Sequence, residues 1–597
     1  MKKTITLLLS AALMTSAALP AAAAQKEGLD RAGLAQLIYQ REQSPEVDGG
    51  DQPSDVAKDA EYADAVRWAG ETGILSGYGD GRMGPEDALT REQLAVALRA
   101  YGDYLGLTLP EGTVSFQDAG QVSSWALPAA GWAIENGLLS LENGKLAPKG
   151  AVTMEDARQA LEELGVQKAN ADLDAMLSDA EAPVSGYGVM AYKNGELIYQ
   201  RTGGWRYLDA EDPAENLPFE TDSRYRTASI SKTFAAIGAM RLVEQGKLDL
   251  DRDISDYLGF QLRNPNYPDI PITARMLMSH TSSLEDGTVY SIPPEYSIQE
   301  FFVPEGKYWL GGEHFANSND GVDRSPGVYF HYCNLNYGVL GTVIECITGQ
   351  RFDEYMKENV LEPMGIGASY NPGDFDAEEI QKLSAIYQKQ SGGVWDKAGP
   401  YIPQIDDYQG QVQDHDKVLI TNPDLQDEVV LEDLSDYQIG TNGTIFSPQG
   451  GLRISMDEMK ALIELFLNDG VVNGRQILTA ESVDEMFTPV WTYDEAANNG
   501  NTYSGLMCSY GLGVQTMTSQ YGDRFVEDRN IVLSGHFGEA YGLLAGLFLD
   551  RESGTVIYYV MNGMGGPEAE NGGTYSSMYR WEEKFCTALL DNLFPEL

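Results

Sequence analysis

A segment that occurs twice in the first 165 residues limits this chain's folding choices more than any other feature. Tyr62-Ala63-Asp64-Ala65-Val66-Arg67-Trp68-Ala69 and the following Gly70-Glu71-Thr72-Gly73-Ile74-Leu75-Ser76-Gly77 are echoed about 64 residues later by Trp132-Ala133-Ile134-Glu135-Asn136-Gly137-Leu138-Leu139-Ser140. Pro85 and Leu89-Thr90-Arg91-Glu92 are echoed by Pro148 and Val152-Thr153-Met154-Glu155, and Leu29-Asp30-Arg31-Ala32-Gly33-Leu34-Ala35 forms a half-unit ahead of both. Each unit reads as a helix, a glycine-rich turn and a second helix. One such unit cannot cover its own apolar face, so the units must stack. An all-α repeat domain is predicted over residues 25–166.

The remainder reads differently. At 597 residues the chain is too long for one core, and beyond Gln167 the pattern changes to strands. Residues 186–192 and 196–200 flank Lys193-Asn194-Gly195, a hairpin on an Asn-Gly turn. Residues 542–549 and 555–561 make a second hairpin, and residues 575–592 a closing helix with Trp581, Phe585 and Leu589 on one side. Strands from both ends of residues 167–597, with helices between, predict an α+β domain. Its antiparallel sheet is flanked by helices and carries an inserted helical subdomain.

The ends and the charge narrow the setting. Met1-Lys2-Lys3, an apolar run over residues 5–19 and Ala22-Ala23-Ala24 have the three parts of a secretory signal peptide, residues 1–24. No later segment is long and apolar enough for a membrane span. The predicted protein is secreted and attached to the cell wall or cell surface. Ninety acidic against 41 basic residues give a formal charge of −49, which argues against nucleic-acid binding. Four cysteines without a Cys-x-x-Cys pair and five scattered histidines predict free thiols, no metal and no cofactor.

Chemistry concentrates in Arg226-Thr227-Ala228-Ser229-Ile230-Ser231-Lys232-Thr233-Phe234, read as the first turn of a buried helix that Gly246 stops. Ser229 and Lys232 are three residues apart and share a helical face. A serine hydroxyl needs a base, and a lysine serves as one when burial lowers its pKa. Tyr332-Cys333-Asn334 precedes a helical run, and a phenol beside an ammonium is biased towards phenolate. In His536-Phe537-Gly538 the glycine lets substrate backbone approach, and the imidazole adds a donor or a positive charge. Each pattern alone is common; a lone histidine is more often a packed core or surface residue.

Two resemblances organise these signals. The repeats resemble the S-layer homology module, which implies a bundle holding a wall polysaccharide through Trp68, Gly77, Thr90 and Arg91. Only the middle unit keeps the full pattern: the third has Met154 in place of the arginine, and the first has Asp30 and Ala32. Core packing accounts for Trp68 and Trp132 as well as wall binding does. Ser229-x-x-Lys232, Tyr332-x-Asn334 and His536-x-Gly538 are similar to the three motifs of the serine β-lactamase and penicillin-binding-protein superfamily, in its class C and D-stereospecific peptidase or esterase branch. The stretches 277–282 and 447–453 match it too.

That resemblance implies acyl transfer to a small-molecule or peptide substrate. Ser229 is the nucleophile, Lys232 and Tyr332 shuttle its proton, Asn334 orients the lysine and the substrate, and the N–H groups of Ser229 and Glu539 form an oxyanion hole. His536 stands where class C β-lactamases have lysine, and Glu539 where a small neutral residue is usual. A carboxylate there repels a terminal carboxylate. The expected substrate is therefore an ester, an internal amide or an amine-bearing molecule. A penicillin-sensitive carboxypeptidase or β-lactamase, and a catalytically silent surface binding protein, remain the alternatives. Residues 286–327 read equally as a loop over the cleft or as packing, and residues 374–440 as an insertion with no legible task.

Overall fold

The computed structural model of this chain describes residues 28–47, 52–112, 115–178, 184–425, 428–564 and 572–597. The signal-peptide reading of residues 1–24 lies outside them. The chain divides into two compact units at Lys168 and Ala169. Among the described residues no helix is long and apolar enough to cross a membrane.

The first unit is helical: Arg31–Arg41, Ala63–Glu71, Arg91–Tyr104, Leu127–Glu135 and the start of the long Met154–Ser178, which runs across the boundary. The repeats meet in a closed ring of backbone hydrogen bonds at equivalent positions. Leu29 N donates to Val152 O (2.6 Å), Val152 N to Leu89 O (3.1 Å) and Leu89 N to Leu29 O (2.8 Å). Three short bridges thus satisfy buried backbone groups that no helix could pair. Two arginines then lock consecutive repeats in the same way. Arg31 donates to Ser76 O and Met83 O (2.7 and 2.8 Å), and Arg91 donates to Ser140 O and Leu146 O (both 2.7 Å). The planar guanidinium suits a two-carbonyl clamp. Met154 at the third equivalent position cannot make it.

Four residues expected to bind a wall polymer have visible work inside this unit. Trp68 is 6 % exposed and packs against Tyr39 and Tyr104 with ring centroids 5.7 and 5.6 Å away. Thr90 caps the Arg91–Tyr104 helix in a capping box with Gln93. A Cβ on Gly77 would lie 2.6 Å from Arg82 O, so the turn needs a glycine there. Asp55 and Asp118, which carried no sequence signal, hold the equivalent turns by accepting from Met83 N and Gly84 N, and from Leu146 N and Ala147 N.

The second unit is built on a nine-stranded antiparallel sheet. Its spatial order is Trp491–Thr492, Ser509–Tyr510, Gln515–Met517, Leu533–Ala540, Leu543–Asp550, Thr555–Asn562, Gly186–Lys193, Glu196–Tyr207 and Leu217–Pro218. The first strand of the unit lies beside its last, so strands from both ends of the unit share one sheet. Both predicted hairpins are present, and Asn194 and Gly195 have φ of 53° and 77°, the positive pair an Asn-Gly hairpin turn requires. The closing helix spans Arg580–Leu593, starting later than predicted, with Trp581, Phe585 and Leu589 buried.

Helices Ser231–Glu244, Leu335–Thr348 and Met456–Leu467 lie in the sequence between the sheet's two ends. The predicted first helical turn at Ser229 is instead a 3₁₀ turn, Ala228–Ile230, with Ala228 at φ 48°. A non-glycine residue in the left-handed region stores strain, and here it stands one residue before the serine. The 374–440 insertion adds two small antiparallel pieces. Ile386–Ser391 pairs with Val394–Trp395 and Tyr401–Ile405, and Lys417–Asn422 pairs with Glu428–Asp433. The 286–327 stretch divides its duties: Phe301, Phe302 and Tyr308 are core, whereas Tyr290 lines a cavity.

Candidate active site

The site begins with a buried amine. Lys232 is 0 % exposed, the second residue of the Ser231–Glu244 helix, whose Phe234, Ala235, Ala236 and Ile237 are equally buried. Its Nζ donates to Ser229 Oγ, to Asn334 Oδ1 and to the backbone carbonyl of Gln449, each at 2.9 Å. Burial pushes its pKa down to about 7, with the Asp286 carboxylate working in the opposite direction. A lysine so placed is half neutral near physiological pH and can accept the serine's proton.

Asn334, the residue preceding the Leu335–Thr348 helix, is held from behind. Its Nδ2 donates to Asp286 Oδ2 (2.9 Å), and Asp286 Oδ1 accepts from Leu335 N (2.8 Å). A carboxylate only accepts, so it turns the amide's oxygen towards Lys232. Asp286 and Gln449 were both missed by the sequence reading. A carboxylate at a loop start and a backbone carbonyl have no spacing signature.

Tyr332 joins the cluster by its ring as well as its hydroxyl. Lys232 Nζ lies 4.7 Å from the ring centroid. His280, from the 277–282 stretch, stacks on the ring's surroundings with centroids 4.3 Å apart. Burial drives the phenol's pKa well above its usual value, partly offset by the Ser229 hydroxyl. The expected bias towards phenolate is therefore overturned: desolvation outweighs attraction to an amine that is itself losing its charge. Tyr332 is a neutral hydroxyl, able to relay a proton but not to begin as the base.

His536 and Gly538 lie on the Leu533–Ala540 strand, whose ladder with Gln515–Met517 ends at Gly535. Beyond it the strand runs against the Ala228–Ile230 turn. A Cβ on Gly538 would come within 2.6 Å of Thr227 O, so the glycine lets the strand approach the nucleophile's turn. His536 is 2 % exposed. Its Nε2 pairs with Tyr510 OH (2.7 Å), its Nδ1 faces Phe537 O, and burial pushes its pKa down to about 3. Of the two readings left open for His536, donor or positive charge, the donor is the one that fits: the neutral ring donates from Nδ1 while accepting from Tyr510.

Ser229, Tyr332, Asn334, His536, Gly538 and Glu539 line one cavity of about 420 Å³. Glu539 is exposed at it. Glu582 of the closing helix also lines it; Tyr559 OH donates to this carboxyl (2.8 Å), and burial raises its pKa to about 8. Behind the serine, Arg226 and Arg453 share Asp406, which comes from the insertion. The predicted hydrolytic residues are thus brought together, and Trp68, Gly77, Thr90 and Arg91 belong to the other unit. All four cysteines are free, with Cys333 buried beside the site motif.

Comparison with known proteins adds the following. The profile of the Beta-lactamase family matches residues 173–576, and that of the S-layer homology domain matches residues 54–95, the middle repeat. Protein flp of Staphylococcus aureus (strain N315) is 25% identical over 226 residues, 37% of this chain and 43% of that protein. The putative penicillin-binding protein PbpX of Bacillus subtilis (strain 168) is 24% identical over 283 residues, 45% and 63% of the respective chains. The chain therefore spans less than half the length of flp. Among solved structures, the octameric penicillin-binding protein homologue from Pyrococcus abyssi shares 20% identity at a TM-score of 0.46, covering 72% of this chain and 78% of that one.

Proposed function

The chain belongs to the beta-lactamase family, and we propose that it is an exported serine hydrolase, held at the cell wall through residues 25–166, with its catalytic domain over residues 167–597. The single observation that carries this reading is the Lys232 amine, buried, near neutrality and 2.9 Å from the Ser229 hydroxyl. Neutral Lys232 takes the proton from Ser229 Oγ as that oxygen attacks a carbonyl. The N–H groups of Ser229 and Glu539 receive the oxyanion. Tyr332, bonded towards Ser229, passes the proton to the departing oxygen or nitrogen. Water then releases the acyl group by the same route in reverse. Match of the middle repeat to the S-layer homology profile supports the tether.

The exposed Glu539 carboxylate on the cavity wall supports an ester, an internal amide or an amine-bearing substrate over a free D-alanyl-D-alanine terminus. A penicillin-reactive enzyme is the second reading, favoured by the similarity to PbpX. Fluorescent fluorophosphonate and fluorescent penicillin, each with Ser229→Ala as control, separate the outcomes. Labelling by the first alone supports the proposal, and labelling by both supports the second reading. Labelling by neither rejects both and leaves a surface binding protein.

A further inference from the structure

A second cavity of about 200 Å³ adjoins the catalytic one and shares Arg226, Tyr290, Ser447, Gln449 and Tyr541 with it. Its far wall is apolar and comes partly from the insertion: Ile405, Leu419 and Val429 all line it. At ~30 Å³ per water it has room for a short chain of several atoms. No acidic residue is among its described lining.

Arg226 stands where the two cavities meet and is 4 % exposed. Its Nε and Nη2 donate to Asp406 at 3.0 and 3.1 Å. The guanidinium also lies 5.9 Å from the Tyr541 ring centroid, while its Nη1 makes no hydrogen bond to the described residues and is not sealed in the interior. Asp406 also receives Arg453, at 2.7 and 3.3 Å. Two guanidiniums therefore share one carboxylate, and the donors of Arg453 are otherwise spent on Tyr370 O and Gly451 O. The uncompensated charge and the unused donors are both on Arg226.

We propose that Arg226 anchors a carboxylate on the acyl arm of the substrate, with that arm's short apolar stretch in the side chamber. The arm is the acyl one because the leaving group must meet the Tyr332 hydroxyl. Tyr332 and Tyr503, whose ring centroids are 6.4 Å apart, both line the catalytic cavity and not the chamber. Glu539 lines only the catalytic cavity, so a carboxylate in the chamber escapes the wall that repels one on the leaving group. This inference rests on the serine-hydrolase reading and deepens it.

The experiment compares kcat/KM for the mono-p-nitrophenyl ester of glutaric acid with that for p-nitrophenyl pentanoate, in wild type, Arg226→Lys and Val429→Trp. Each protein is first checked for a cooperative thermal transition. Acetylated 4-hydroxybenzoate against phenyl acetate places the carboxylate on the leaving group instead. Wild type should prefer the glutarate ester on the order of tenfold, the scale of one charge-assisted hydrogen bond. That preference should fall towards unity in both variants, with no preference for the leaving-group acid. Equal use of the two acyl esters by wild type, or a preference that survives in both variants, overturns the assignment while the hydrolase stands. A protein that turns over none of the esters and takes no fluorophosphonate overturns the hydrolase reading and this proposal together.

Discussion

Asp286 holds Asn334 by its Nδ2 at 2.9 Å, and in doing so decides which end of that amide Lys232 meets. Asp286→Asn keeps the shape but offers a group that both donates and accepts, so the Asn334 amide is no longer oriented. The expected outcome is a loss of about tenfold or more in kcat, matching ~1–3 kcal/mol for a misdirected buried hydrogen bond, with KM little changed. Steady-state kinetics on a short-chain ester checks it.

The pH profile follows from the same amine. Lys232 must be neutral to act, and burial brings its pKa down to about 7. Log(kcat/KM) should rise with unit slope below about 7 and level off above it. His536, already neutral with a pKa near 3, should contribute no inflection in that range. A profile flat from pH 5 to 9 would remove Lys232 from the role of base.

Removing the amine should stabilise the protein while abolishing turnover. The pKa of Lys232 is lower in the fold than in the unfolded chain. Between about 7 and the usual lysine range the unfolded chain therefore holds a proton that the native one lacks, and stability rises with pH across that window. Below about 7 the native state carries a buried ammonium and bears the whole penalty. Lys232→Met should melt above wild type near pH 6, by the equivalent of ~1–3 kcal/mol after allowing for three lost hydrogen bonds, and the gap should close by pH 10. Thermal unfolding at both values measures the sign.

Gly538→Ala tests whether the strand and the nucleophile's turn need their close approach. The added Cβ would fall 2.6 Å from Thr227 O, a backbone atom that cannot swing aside. Turnover should fall at least a hundredfold, because an ångström-scale misplacement of the serine is costly, with a stability loss of ~1–3 kcal/mol. Near-normal kinetics would show that the turn tolerates retreat.

What the sequence disclosed and what it hid differ in kind. Ser229 and Lys232 were legible because helical spacing fixes their distance, and both hairpins because Asn-Gly and Asp-x-x-x-Gly turns leave local marks. Asp286, the Gln449 carbonyl, Tyr510 and Asp406 were not, since each reaches the site by tertiary approach from a loop or strand whose own sequence is unremarked. The charge state of Tyr332 was misread, and that of His536 left open, for one reason: sequence shows which groups are neighbours but not how little water they keep, and desolvation dominates both. Trp68 was legible as a motif residue, yet only coordinates place it in the core.

The repeats offer a test independent of the catalytic cavity. Arg31 and Arg91 make the same two-carbonyl clamp in successive repeats, while Met154 leaves the third junction without one. If the clamps hold the bundle, Arg91→Ala should destabilise the first unit by ~1–2 kcal/mol, chiefly the cost of stranding the part-buried Leu146 carbonyl, since the exposed Ser140 carbonyl can turn to water. Ester turnover should be unchanged, because Arg91 belongs to the unit that does not contain Ser229. Restoring the missing clamp with Met154→Arg should raise the same transition by a smaller amount, since an exposed guanidinium gives up more hydration and side-chain freedom to bind. Differential scanning calorimetry follows the transition, and pull-down on purified cell-wall polysaccharide follows the proposed tether. If Arg91→Ala abolishes wall binding without moving the transition, the arginine's task is recognition rather than the clamp.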